Sequence, residues 1–161
     1  MKVYVDCGYY AGVAYRKYAP DADVSYAFEP NLTLDVPDFV IRKAVWVEDG
    51  EVSFRVAGRE DAAHIPSETE EGDMVTVPSI NFSKFLTKFP DHSVVCNMDI
   101  EGAEYPVLRK LIDEGTIDKI KFLDIEFHHR LLMDYTKEDS QRLLDEIEKR
   151  GIKVNIKVPF E

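Results

Sequence analysis

The opening of the chain constrains its fold more than any other stretch. Lys2 to Cys7 is a short, mostly apolar run, Gly8 to Ala19 can form a helix that stops before Pro20, and Val24 to Phe28 is a second run ending at Glu29-Pro30-Asn31. Apolar runs of this length, joined by a helix, suit strands buried on both faces of a parallel sheet. A strand-helix-strand unit is therefore expected at the N-terminus.

The alternation continues downstream. Phe39 to Val47 reads as a third strand, and Asp49-Gly50 is a hairpin turn signal ahead of the alternating Val52, Phe54 and Val56. From Gly58 to Asp73 the chain is polar, contains Pro66 and has neither period, which predicts a surface loop beside the pocket. Met74 to Val77 is a short strand candidate, Asn81 or Ser83 can start a helix carrying Phe85, Leu86 and Phe89, and Val94 to Met98 is the next strand. Tyr105 to Glu114 sets Val107, Leu108, Leu111 and Ile112 on one helical face, with Gly115 as its stop. After the strand Phe122 to Ile125, Thr136 and Asp139 form a capping-box pattern ahead of Leu143, Leu144 and Ile147, and Ile152 to Val158 is the final strand.

This order predicts an α/β fold: a Rossmann-like, doubly wound, mostly parallel sheet with helices on both faces. With 161 residues, of which 45% are hydrophobic, residues 1–161 are expected to form a single domain. Thirty-one acidic residues against twenty basic give a net charge of -11, so the surface repels polyanions and nucleic acid is not an expected partner. No apolar run approaches the ~20 residues of a membrane span, and the N-terminus lacks a signal-peptide core, so a cytoplasmic protein is expected. Cys7 and Cys96 lie in apolar runs and are expected to be reduced.

Polar residues interrupt this pattern at the ends of strands: Asp6 and Gly8, Glu29, Asp99 and Glu101, Glu126 and His128. A doubly wound sheet brings such positions to one edge, where these folds bind ligands. Gly8 and Gly12 bracket a tight turn that lets backbone approach a ligand. Glu29 follows roughly twenty residues later, where a carboxylate can accept two ribose hydroxyls. Asp99-Ile100-Glu101-Gly102-Ala103-Glu104 places three carboxylates at a strand end and helix start, and a helix N-terminus favours their ionised form. Ionised carboxylates there can take a proton, hold an ammonium group or bind a hard cation.

Together these segments resemble the FkbM family of methyltransferases that depend on S-adenosylmethionine (SAM). Asp6-Cys7-Gly8-Tyr9-Tyr10-Ala11-Gly12 resembles its first motif and Phe28-Glu29-Pro30-Asn31 its second-strand signature. Met98 to Glu104, followed by Val107-Leu108, is similar to its most characteristic block, and Leu123 to His128 to its fifth-strand ending. The resemblance implies a class I fold in which Asp6, Gly8, Gly12, Glu29 and Asp99 bind SAM, with Glu29 on the ribose. It implies as acceptor a hydroxyl group of a sugar, glycolipid or other small molecule. Tyr9 and Tyr10 depart from the family's usual alanine and asparagine, and Asn97 from its usual lysine.

Methyl transfer to oxygen needs the acceptor aligned in-line and a base for its proton. The candidates are Asp99, His128 and Glu101; no metal ligand is assigned, although the acid block leaves a divalent cation open as an alternative. A nicotinamide-dependent oxidoreductase shares the strand-helix-strand unit and the ribose acid, but Tyr10 stands where its G-x-G-x-x-G pattern needs glycine. A catalytically inactive, methyltransferase-like binding module is the remaining alternative.

Overall fold

The computed structural model describes residues 1–56, 63–64, 73–129 and 134–157. In chain order the elements are β1 (Val3–Cys7), α1 (Val13–Tyr18), β2 (Val24–Phe28), β3 (Ala44–Trp46), β4 (Gly50–Val56), β5 (Ala63–His64), β6 (Asp73–Asn81) and α2 (Phe82–Leu86). They continue with β7 (Val94–Met98), α3 (Glu104–Asp113), β8 (Ile120–Ile125), α4 (Lys137–Glu148) and β9 (Lys153–Ile156). Five strands pair in parallel in the order β2-β1-β7-β8-β9. This is the expected Rossmann-like α/β arrangement, and strand order reverses between β1 and β7. Ligands of open α/β sheets lie beyond the strand carboxyl ends at such a switch point.

The two faces of the sheet are covered unequally. Val3, Val5 and Cys7 share one face with Cys96, Met98, Leu123 and Ile125, and against them pack Phe85 and Leu86 of α2, Leu108 and Leu111 of α3, and Leu144 and Ile147 of α4. The apolar stripe read along α3 is this contact. On the other face α1 brings Tyr15 and Tyr18 over Tyr4, and the Tyr18 hydroxyl donates to Asp124 Oδ2 at 2.7 Å. The two thiols are free and buried, 3.8 Å apart.

Several element boundaries differ from expectation. The first helix starts at Val13, not Gly8, because Tyr10 and Gly12 take positive φ values of 45° and 69°, which break a helix. It ends in a 3-10 turn, Ala19–Asp21, that accommodates Pro20. The expected third strand shrinks to Ala44–Trp46, preceded by a single bridge between Phe28 and Ile41, and joins a second sheet in the order β3-β6-β4-β5. The turn at Asp49-Gly50 consequently makes no simple hairpin, since β6 lies between β3 and β4. β6 itself runs through Pro78: β3 pairs with it only from Ser79 onward, so at Pro78 one side of the strand needs no ladder hydrogen bond.

Asn81 is the N-cap of α2, its side chain accepting the Lys84 N–H at 3.0 Å, and the Thr136/Asp139 capping box forms as read. Of the loop expected from Gly58 to Asp73, residues 63–64 pair with β4 and Asp73 begins β6; the rest lies outside the described residues, as does Val158. No described helix is long and apolar enough to cross a membrane.

Leu108 is fully buried where α3 meets the sheet. Leu108→Ala should lower the unfolding free energy by about 2–5 kcal/mol in urea denaturation at unchanged m-value. Val13→Ala, at a 70% exposed position, should shift it by no more than ~0.5 kcal/mol. Equal effects would mean that this face is not the core.

Candidate functional site

β1 hands over to the site at Gly8, whose φ is +121° and where a Cβ would lie 2.1 Å from the backbone oxygen of Asp99. Only glycine lets the first turn and the end of β7 approach this closely. The Gly8 and Tyr9 N–H groups both donate to Phe28 O, at 3.0 and 2.9 Å. Glu29 then ties the turn to the end of β2: it accepts Tyr10 N–H on Oε2 and Asn31 N–H on Oε1, each at 2.8 Å. Each carboxylate oxygen retains a second acceptor site, so Glu29 can hold these amides and a ligand hydroxyl together.

A cavity of about 350 Å³ opens at this edge, within the range of small-molecule sites. Gly8, Glu29, Asp99 and Glu101 line it, with the ring of Tyr10 at its rim. The other sequence candidates stand elsewhere. Asp6 is fully buried in β1, accepting Asn97 Nδ2 at 2.7 Å, and burial pushes its carboxyl up to about 6 against the opposing effect of that bond. Asp6 therefore supports the sheet beneath the cavity without lining it. Gly12 faces the Tyr9 ring, whose hydroxyl would lie 2.5 Å from a Cβ there. Its need for glycine comes from its positive φ of 69°, and it does not line the cavity.

Beside the cavity the acid block folds around a histidine. Glu104 is fully buried and accepts three hydrogen bonds, from Ile100 N–H at 3.0 Å, Gly102 N–H at 2.8 Å and, on Oε1, His128 Nδ1 at 2.7 Å. These bonds fix the turn in which Glu101 and Gly102 take φ values of 52° and 102°. His128 Nε2 faces Asp99 and Glu101, both at 3.5 Å, and Glu126 at 3.8 Å. Lys157, just past β9, reaches Asp99 Oδ2 with Nζ at 3.3 Å.

Burial disfavours charge on His128, but its bond to Glu104 and the charges of Glu104, Glu101 and Asp99 outweigh it and raise its pKa to about 9. Burial raises Glu101 to about 7, with His128 opposing and Asp99 and Glu104 adding, and burial also raises Glu126. Two expectations change. Glu101 is not simply held ionised, because it precedes α3 in a buried turn. The carboxylates around His128 favour its protonated form at neutral pH, which makes it a weaker candidate base than a free imidazole.

Asp99, Glu101 and His128 each offer an atom within 4.8 Å of the others, a spacing that suits a small cation. His128 would first have to release its proton to become a ligand. Glu104, which holds three donors, stands outside that set. Two contributors escaped the sequence reading: Lys157 as the cation beside Asp99, and the second sheet, which gives the cavity Phe54, Val75 and Val77. The only sequence sign of Lys157 was its position at a strand end.

The sheet places this acid-lined cavity at its switch point, where doubly wound α/β folds bind ligands. Residues 6–154 match the methyltransferase FkbM domain, and the chain belongs to that family of methyltransferases. Comparison with curated proteins and with solved structures gives no match.

His128 contributes stability through its raised pKa: the contribution is fully present below the unfolded value of 6.5 and is lost as pH rises through about 9. NMR titration of the His128 ring should find its midpoint near 9, and Glu104→Gln should move that midpoint downward. A wild-type midpoint near 6.5 would overturn the assignment of the Glu104–His128 pair.

Proposed function

We propose that the chain is a SAM-dependent O-methyltransferase acting on a carbohydrate or small-molecule hydroxyl. The observation that carries this is the convergence of Gly8, Glu29 and Asp99 on one cavity at the switch point. The residues present fit SAM: Glu29 has acceptor capacity left for a ribose diol, Gly8 exposes backbone at the turn, and neighbouring carboxylates suit a cationic ligand. Bound there, SAM supplies an electrophilic methyl carbon whose sulfonium sulfur leaves with the bonding pair.

Asp99 is the first candidate base. It lines the cavity, sits at the end of a rigid strand, and is held by Lys157 and faced by His128. As the acceptor oxygen bonds to the methyl carbon, its proton passes to this carboxylate or to Glu101, whose pKa of about 7 suits proton exchange near neutral pH. Glu104 acts through His128 as a positioning residue. Membership of a methyltransferase family leaves the nicotinamide reading without support.

Calorimetric titration with S-adenosylhomocysteine should show saturable binding, and its absence would leave the chain a binding module. Glu29→Ala should weaken that binding by roughly 1–3 kcal/mol, the cost of unmade hydrogen bonds. Asp99→Asn should cut turnover by ~10²–10⁴ with cofactor affinity nearly intact. Full activity in that variant would remove Asp99 from the chemistry.

A further inference from the structure

We infer that the methyl acceptor carries an aliphatic body beside its hydroxyl and that the second sheet receives it. This rests on the O-methyltransferase reading and names the acceptor class for the same cavity. The receiving wall consists of Phe54 of β4, Val75 and Val77 of β6, and Leu32 and Leu34 after β2, all of which line the cavity. Phe54 and Val75 are direct cross-strand partners, and Val75 and Val77 share one face of their strand. Phe54 and Val77 pack with Ala44 and Val52 in a small core, whereas Val75 is 42% and Leu32 61% exposed. The apolar face of the sheet thus continues out of its core into the cavity and stays open to solvent there. Apolar surface left open beside a polar reaction edge is what an amphipathic ligand covers.

The chemistry of the wall selects among occupants. A purine loses water from its ring nitrogens and amine on entry, and each then needs a partner. None of these five side chains has a polar atom. Of the polar pair alongside, Asn31 and Thr33, the amide oxygen is already taken: Thr33 N–H and Oγ1 both donate to Asn31 Oδ1, at 3.0 and 2.7 Å. A bare sugar ring meets the same difficulty, with a hydroxyl on most of its carbons. An alkyl or alicyclic body leaves nothing unpaired, and its hydroxyl can reach Asp99 and Glu101 in the same cavity.

Methyl-resolved NMR of the protein saturated with S-adenosylhomocysteine, titrated with straight-chain primary alcohols from butanol to octanol, tests the inference. The Leu32, Val75 and Val77 methyl signals should shift, and affinity should rise about fourfold per added methylene, the equivalent of ~0.8 kcal/mol per buried CH₂. Val75→Asp should flatten that dependence. Unmoved methyls, or affinity independent of chain length, overturn the inference. So do alcohols that displace S-adenosylhomocysteine, because the wall then belongs to the cofactor. Failure of S-adenosylhomocysteine to saturate the protein at the outset is a separate result, and it refutes the cofactor reading from which the acceptor class is drawn.

Discussion

A fully buried carboxylate needs hydrogen-bond donors around it, and the candidate site is organised around one that has three. Glu104 draws in two backbone amides and an imidazole, so the turn from Ile100 to Ala103 is tied to the end of β8 through His128. Removing one partner of a buried charged pair typically costs about 3–5 kcal/mol, so losing either Glu104 or His128 would strain this turn. The left-handed conformation of Glu101, unfavourable for a residue with a side chain, is held by the same bonds. Without Glu104, Glu101 has no reason to face His128, and Asp99 loses the imidazolium at 3.5 Å.

Much of the main sheet was legible because its strands are short apolar runs and its helices carry strong end signals. β1, β2 and β7 match their expected runs within a residue, and the α4 cap formed as read. The second sheet was not legible, for a physical reason. Its register depends on β6 inserting between β3 and β4, a pairing between residues up to 35 positions apart, as with Ala44 and Ser79. Local periodicity carries no information on such partners, and the expected run Met74 to Val77 stops short of Pro78, through which the strand continues.

The site was legible in its identities more than in its roles. Strand-end polarity gathered Gly8, Glu29, Asp99, Glu101 and His128 at one edge. It could not separate Asp6, which shares that sequence position but points to the opposite face from Val5 and Cys7 and gives one carboxylate oxygen to Asn97. Nor could it give protonation states. Those follow from burial and from the number of carboxylates around one imidazole, both of which are three-dimensional quantities.

That protonation pattern bears directly on the proposed chemistry. Transfer of a methyl from a sulfonium to a neutral hydroxyl releases one proton for each positive charge it consumes, so the charge the pocket must hold is unchanged until the proton leaves. Asp99, Glu101, Glu104 and Glu126 outnumber His128 and Lys157 around this edge, an imbalance that favours a cationic ligand before transfer and a proton after it. A site with only strongly ionised acids would serve the first need. Glu101, lifted by burial to about 7, serves the second, since it can take the proton and return it to water near neutral pH. His128 is favoured in its charged form by the bond to Glu104 and the surrounding carboxylates, which leaves it less suited than Glu101 to take that proton. Its part is to hold two carboxylates within reach of the acceptor.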